Sequence, residues 1–418
     1  MNVHVEKTVP ITYQMVVEAY AKVKKGGKAV GVDRESWSEF EAKGVEKQLY
    51  VIWNRMASGS YFPQAVREVE IPKKDGKVRK LGIPTIRDRI AQEVVRKYME
   101  QRVDEKFHPN SYGYRPLKSA KQATDQVRKN CLEWDWVVDM DISKFFDEID
   151  HALMLKSVET MFAQKWVKTY VQRWLEMKIE KADGTQQERG GKGTPQGGVI
   201  SPLLANLFLH FTLDKWLEKH YQHVRFVRYA DDVIVHCRNE AEAQQLKSAI
   251  AQRLQDVGLQ LNEQKTKIVY CKDYRRTEKV KQVQFEFLGF SYQPRPMLSK
   301  YDKNRSITVF VPEISRDNQK KIIEEIRRAV KWTNTTLTME QIAERLNSKL
   351  RGWINYFGSY GKRKLRRAIV NLDIRLVRWL CRKHKLGSRK AASLLALTMR
   401  QQPTLFYHWE MKYLYFKR

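Results

Sequence analysis

Two apolar runs in this sequence carry paired carboxylates. The first, WDWVVDMDI, holds Asp139 and Asp141, and the second, VRYADDVIVHC, holds Asp231 and Asp232. Val, Ile, Trp and Phe at this density read as strands buried in a sheet, where acids are least comfortable. A fold that accepts both clusters has to supply a counter-charge, and a divalent cation is the commonest one for buried carboxylates. Oxygen donors without His or Cys among them favour a hard ion such as Mg²⁺ over zinc.

About ninety residues separate the clusters, enough for adjacent strands of one sheet with a long excursion between. Three carboxylates converging there suffice for two metal ions roughly 4 Å apart, a geometry that activates an attacking 3′-hydroxyl and stabilises a leaving pyrophosphate. The excursion contains GGKGTPQGGVISPLLANLFLH. Its glycines allow close backbone approach to a ligand, and Gln196 could orient a nucleotide or a template base. It is not a P-loop, because Lys192 is followed by Gly193. Upstream, Lys73, Lys74 and Arg79 in IPKKDGKVRKLGIP put cations on a hairpin, and beside a metal site they would clamp a triphosphate.

The partner of such a site follows from charge. The chain has 78 Lys+Arg against 48 Asp+Glu over 418 residues, a net +30. From Ser291 onward there are 29 basic and 9 acidic residues, a net +20. A foldable chain this basic implies a polyanion, and nucleic acid is favoured over an acidic membrane surface. Eighteen apolar residues never run together, and the first twenty hold no continuous apolar stretch, so neither a membrane span nor a secretory leader is expected. Cys131, Cys237, Cys271 and Cys381 are scattered, which reads as free thiols in a reducing cytosol.

The coarse pattern is mixed α+β. Residues 66–72 alternate as a strand, the turn KKDG follows, and VRKLGIP resumes extended chain. A helix runs from Arg87 through IAQEVVRKYMEQRVDEKF. Ser201 reads as an N-cap with Pro202 at the first position of one helix, LLANLFLHFTLDKWLEKH. VRFVRYADDVIVHC reads as two short strands about an Asp-Asp turn. FSYQPRPMLSKYDKNRS reads as a linker or irregular hairpin near a domain boundary. Beyond it, Ile342, Leu346, Leu350, Trp353 and Phe357, then Leu365, Ile369, Leu372, Leu376 and Leu380, recur at helical spacing. Between these stripes lie Arg351, Lys362, Arg363, Lys364, Arg366, Arg367, Arg375, Arg378, Arg382 and Lys383, a basic face offered to phosphates with nothing acidic to balance it.

YADD at 229–232, with DMDISKFFD before it and GTPQGGVISPLLANLFLH between, resembles the palm of a reverse transcriptase. More narrowly, the chain resembles the group II intron reverse transcriptase/maturase family. GGKAVGVD, REVEIPKKDGKVRKLGIPTIRDRIAQEVV and SYGYRPLKSAKQA support this upstream, and LQLNEQKTKIVY, FEFLGF and LNSKLRGWINYFGSYG downstream. The blocks run in family order from about residue 26 to 360.

The resemblance implies an α+β right-hand polymerase. It has an N-terminal extension over 1–60, fingers and a palm of antiparallel sheet plus helices over 61–290, and a basic helical thumb or maturase (X) domain over 291–418. It implies RNA-directed DNA polymerase activity, nucleotidyl transfer from dNTPs onto a primer 3′-hydroxyl against an RNA template, with two Mg²⁺ ions or Mn²⁺ in their place. Asp141, Asp231 and Asp232 match the catalytic, metal-binding aspartates. Asp141 is preferred to Asp139 because the family's aromatic follows the catalytic Asp by five positions, which selects Phe146. That ring would exclude a 2′-hydroxyl. Lys73 and Arg79 match the cations that hold the triphosphate, Gln196 the glutamine beside the nucleotide, and Lys265 a lysine proposed to protonate pyrophosphate. Phe285–Phe290 matches the primer grip.

Implied partners are group II intron RNA, a DNA or RNA primer and dNTPs, in a cytoplasmic setting, with the oligomeric state left open. Two departures stand out. No DNA-binding and endonuclease pattern with paired cysteines follows the thumb, so second-strand cleavage is not expected, and Arg34 replaces the usual glycine after GVD, which reads as tolerable loop variation. Two alternatives stay open. One is an RNA-binding maturase that assists splicing, with polymerase activity secondary or vestigial. The other is a free-standing reverse transcriptase co-opted for defence or DNA repair.

Overall fold

The strands, in chain order, are β1 (Val66–Pro72), β2 (Val78–Ile83), β3 (Trp136–Met140), β4 (Ile179–Glu180), β5 (Gln186–Gln187), β6 (Arg225–Tyr229), β7 (Asp232–Cys237), β8 (Lys267–Tyr270), β9 (Phe285–Phe287), β10 (Phe290–Leu298) and β11 (Ser306–Ile314). They belong to a computed structural model that describes residues 9–72, 76, 78–276, 278–299 and 304–414. The fold is α+β, as the mixed pattern predicts. The chain sorts into two units, one joining Met1–Ala123 to Val138–Lys267 and the other joining Thr124–Val137 to Ile268–Arg418.

In the first unit, β1 pairs antiparallel with β2 from Arg67↔Ile83 to Pro72↔Val78, in a sheet of order β2-β1-β4-β5. In a second sheet β6, β7 and β3 are neighbours in that order. Val233, Ile234 and Val235 of β7 are all 0% exposed, so both faces of this strand are covered, which is why its run is continuously apolar. Val138 of β3 is 0% and Met140 2% exposed. β6 and β7 form a hairpin whose register ends at Tyr229↔Asp232, so the two-residue connection is Ala230-Asp231 and Asp232 already belongs to β7. The helix Ile86–Val103 starts where Thr85 accepts the N–H of Asp88.

The segment read as one helix after Ser201 is built differently. Ser201 lies inside the helix Ser201–Leu209, and Ile200 occupies the N-cap. The Ser201 hydroxyl bonds Thr194 Oγ1 at 2.9 Å instead of capping. Gln92 Oε1 does the capping work, accepting the N–H groups of Val199 and Ile200. The helix then widens into one π turn, His210–Asp214, in which the Lys215 N–H reaches back to the His210 carbonyl, before Lys215–His220 resumes α geometry. The Thr212 carbonyl accepts Arg253 Nε at 2.9 Å.

Arg34 adopts φ 57°. That is left-handed backbone, the region where glycine carries no steric cost, so the Gly-to-Arg departure is a strained exchange.

In the second unit, three strands in the order β11-β10-β9 precede the helices Arg316–Ala329, Met339–Phe357, Lys362–Ile369, Asn371–His384, Ser388–Gln401 and Tyr407–Glu410. Of the two readings of FSYQPRPMLSKYDKNRS, linker or hairpin, the described residues favour the hairpin. Its N-terminal residues lie in β10, paired without interruption to β11 from Phe290↔Ile314 to Leu298↔Ser306. Pro294 and Pro296 fit because β9 stops opposite Tyr292, leaving β10 a free side for alternate residues without N–H. On Met339–Phe357 the buried stripe is Ile342, Leu346, Leu350, Ile354 and Phe357. Ile354 takes the place expected of Trp353, which is only half-buried. Among the described residues no helix is long and apolar enough to cross a membrane.

Candidate active site

β3 delivers Asp141 one residue past its end. The segment Asn262–Thr266 wraps that position: the Asn262 N–H donates to the Asp141 carbonyl at 2.8 Å, and the Asp141 N–H reaches Thr266 Oγ1 at 3.4 Å. The wrap sets Lys265 Nζ 3.4 Å from Asp141 Oδ2. The β6–β7 turn delivers Asp231 and Asp232. Burial pushes the Asp231 carboxyl above its ordinary range, with the like charge of Asp141 adding and Arg79 and Arg228 opposing. Asp232 is pushed up to about 6, by exclusion of water first and then by Asp231 and Asp141, although part of it is exposed. The charge of Asp141 thus reaches both carboxyls of the turn, and Lys265 opposes the rise at Asp232.

The donor chemistry fits a divalent cation. All three donors are carboxylates, and at Asp231 and Asp232 burial first and neighbouring carboxylates second disfavour the charged form, which a cation would relieve. Among the described residues no group of three or more His, Cys, Asp or Glu side chains stands ready to hold a metal ion. Asp139 stays half-buried within β3.

The second cluster is built on β2, the turn after β3 and the glycine loop. Arg79 Nε donates to Gln196 Oε1 at 2.9 Å, and Gln196 Nε2 donates to both oxygens of Asp147 at 3.1 and 3.2 Å. Gly82 N–H bonds the Gln196 carbonyl, and a Cβ on Gly197 would meet the Gly82 carbonyl at 2.9 Å, so this glycine is needed for close approach. Phe146, half-buried, packs edge-on to Phe145 at 5.3 Å, and its carbonyl accepts the Thr194 N–H at 2.7 Å. Arg79, Gln196 and Phe146 therefore gather around one short backbone junction. Lys73 and Lys74 lie outside the described residues.

Sequence reasoning missed what holds the turn. Arg228, 0% exposed, donates to both oxygens of Asp214 at 2.8 and 2.6 Å. Its Nη1 also donates to Asn206 Oδ1 at 2.8 Å and to the Ala230 carbonyl at 3.2 Å. Asn206 Nδ2 donates to the Gly113 carbonyl at 2.6 Å. Ala230 has φ 56°, and these bonds hold that left-handed residue in place. The signal was legible as three polar residues, Asn206, Asp214 and Arg228, each inside an otherwise apolar run.

In the second unit, Arg351, Lys362, Arg363, Arg366, Arg367, Arg378 and Arg382 are exposed and Arg375 is half-buried. The basic face is not wholly unbalanced. Lys364 Nζ lies 3.0 Å from Glu313, which also pairs with Arg295, and Lys383 Nζ donates to the carbonyls of Thr335 and Leu337. Phe285–Phe290 spans β9, a Leu288-Gly289 turn with φ 47° and 81°, and the start of β10.

The sequence matches the family described as reverse transcriptase (RNA-dependent DNA polymerase) over residues 71–292, and the group II intron, maturase-specific domain over residues 319–394. It is 36% identical over 202 residues to Protein YkfC of Escherichia coli (strain K12), covering 47% of this chain and 52% of that protein. It is 33% identical over 194 residues to Group II intron-encoded protein LtrA of Lactococcus lactis subsp. cremoris, covering 46% of this chain and 31% of that one. The matched part therefore spans about half of these relatives or less. Among solved structures, apo telomerase from Candida tropicalis aligns with a TM-score of 0.44 at 14% identity, over 55% of this chain and 53% of that one, too slight a likeness to bear on the fold.

Proposed function

The chain belongs to the reverse transcriptase (RNA-dependent DNA polymerase) family and carries the group II intron maturase-specific domain, and from that premise we propose that it is an RNA-directed DNA polymerase of group II intron type. The observation that carries the reading is the position of Asp141 at the end of β3, the neighbour of β7, beside the β6–β7 turn that bears Asp231 and Asp232. Divalent-metal dependence is general to the family. Two Mg²⁺ ions held by these aspartates would polarise the attacking 3′-hydroxyl and the leaving phosphate oxygens.

The chain's own groups supply the rest. Arg79, with Lys73, binds the triphosphate of a dNTP, and Gln196 orients the nucleotide while anchored to Arg79 and Asp147. Phe146 stands against a 2′-hydroxyl. Lys265, already 3.4 Å from Asp141, carries the proton needed by departing pyrophosphate. Residues 61–290 form fingers and palm after an extension over 1–60, and the basic helices of 291–418 form the thumb that follows primer and RNA template, in the cytoplasm.

The test is primer extension on an RNA template with Mg²⁺ and dNTPs. The wild type should extend, and Asp231→Asn should lose extension while RNA affinity stays within about twofold, since the change removes a metal ligand and not a phosphate contact. Extension that survives in Asp231→Asn, or RNA binding that collapses with it, would overturn the assignment. The maturase-specific match over 319–394 favours a second role, binding of intron RNA to assist splicing, tested by splicing of the cognate intron with Asp231→Asn protein.

A further inference from the structure

The loop after the helix Ile86–Val103 carries two large apolar side chains on left-handed backbone. Tyr114 has φ 53° and Leu117 φ 57°, and they are 57% and 98% exposed. Left-handed backbone is disfavoured for any residue with a Cβ, and Leu117 gains no burial in return.

The loop is nonetheless held firmly. Arg115, between the two, donates to Asp104 Oδ1 at 2.7 Å and to the carbonyls of Asp104, His108 and Ser111 at 2.6 to 2.9 Å. Lys118 Nζ donates to the Pro109 carbonyl at 2.9 Å and sits 4.9 Å above the Tyr112 ring. The Tyr112 N–H donates to the Arg228 carbonyl, and the Arg228 N–H to the Asn110 carbonyl, so the loop runs along β6. Gly113 is pressed against the β6–β7 turn so closely that a Cβ would meet the Ala230 nitrogen at 2.4 Å. The buried contacts of this loop fix its backbone and turn Tyr114 and Leu117 outward. The Tyr114 ring ends 6.2 Å from that of Tyr229, the residue before the turn that carries Asp231.

We infer that Tyr114 and Leu117 form a ledge for nucleic acid, on which the bases and sugars at the primer end rest beside the carboxylates. The inference rests on the polymerase reading of that site. An aromatic ring and an aliphatic chain suit this contact because every base has an apolar face, whatever its identity. The chain's net charge of +30 draws a polyanion to these two exposed side chains and repels a second copy of the same chain.

The experiment uses the full chain with a DNA primer on an RNA template, the primer ending in photoreactive 4-thiothymidine. Cross-links should map to the peptide containing Tyr114 and Leu117. In Leu117→Gly and Tyr114→Gly the backbone strain is relieved, so the melting temperature should hold or rise. Cross-linking, and retention of the primer end, should fall about tenfold, the loss of one base contact. That opposition of signs separates contact from scaffolding. If melting temperature and retention fall together, the loop is structural and the inference fails. It fails also if retention and cross-linking are unchanged, or if the variants instead alter self-association in sedimentation. A wild type that cross-links at the ledge without extending DNA would sink the polymerase reading and leave the ledge standing. One that extends DNA without cross-linking there would sink the ledge alone.

Discussion

Arg228 and Asp214 meet through two hydrogen bonds of 2.8 and 2.6 Å, with 0% and 1% of their side chains exposed. The π turn His210–Asp214 brings Asp214 to this position, and the same guanidinium reaches the carbonyl of Ala230. A buried ion pair adds little net stability over an apolar pair of equal volume, but breaking it strands a charge. Its value here is positional, because it holds the turn from which Asp231 projects.

Asp214→Ala should therefore destabilise the protein by about 3–5 kcal/mol, the cost of leaving Arg228 buried and alone. Asp214→Leu with Arg228→Met should recover much of that loss in urea unfolding. Primer extension should stay low in the double variant despite its recovered stability, since it lacks the Arg228 donor to the Ala230 carbonyl. A double variant that regained full extension would show that the pair only stabilises the fold.

The pH dependence follows from Asp232, whose folded pKa is pushed up to about 6 from an unfolded value of 3.8. Between those values the folded state holds more protons than the unfolded one, so stability falls as pH rises through this window. Asp232→Asn removes the penalty. It should melt higher than wild type at pH 7.5, with the gap closing below about pH 4. Adding Mg²⁺ at pH 7.5 should raise the melting temperature of wild type and not of Asp232→Asn. Equal Mg²⁺ responses in the two proteins would mean that this carboxylate holds no metal.

Much of this was legible in the residues themselves. The strands around Asp141 and Asp231 follow from apolar runs, and the basic helices from spacing and charge. What escaped was whatever depended on a partner distant in sequence. Nothing local shows that Gln92 caps the helix at Ser201–Leu209, 108 positions from Ile200, so the nearest serine looked like the cap. Nor does local pattern separate a π turn from an α turn in LLANLFLHFTLDKWLEKH, because the extra residue is fixed only when Asp214 finds Arg228. Lys364 looked free because Glu313 lies on another element. FSYQPRPMLSKYDKNRS looked irregular because prolines argue against strands until a strand has one unpaired side.

Gln196 offers a test of the nucleotide pocket. Arg79 can only donate and the Asp147 carboxylate can only accept, so the amide is held in one orientation by 2.9 and 3.1 Å bonds. Gln196→Glu would set two carboxylates face to face and should raise the KM for dNTP about tenfold, with kcat within about threefold. Adding Asp147→Asn restores a donor opposite the new acid and should bring KM most of the way back. If the double variant is no better than the single one, Asp147 does not orient Gln196.

The helical basic face should divide by partner, not by charge alone. Arg363, Arg367 and Arg378 are exposed and free to release counterions when they meet phosphates. Lys364, 3.0 Å from Glu313, already has an anion and has none to release. Each phosphate contact contributes about 0.7 to 0.9 to the slope of log affinity against log salt. Changing the three arginines together to Ala should lower the magnitude of the RNA-binding slope by about 2, and Lys364→Ala should change it by less than about 0.3. Fluorescence anisotropy titrations from 50 to 300 mM salt would measure both, on the order of the range where counterion release dominates. Equal slopes in the triple variant and wild type would move the phosphate contacts off this face, and a large effect from Lys364→Ala would mean that RNA displaces Glu313 as its partner.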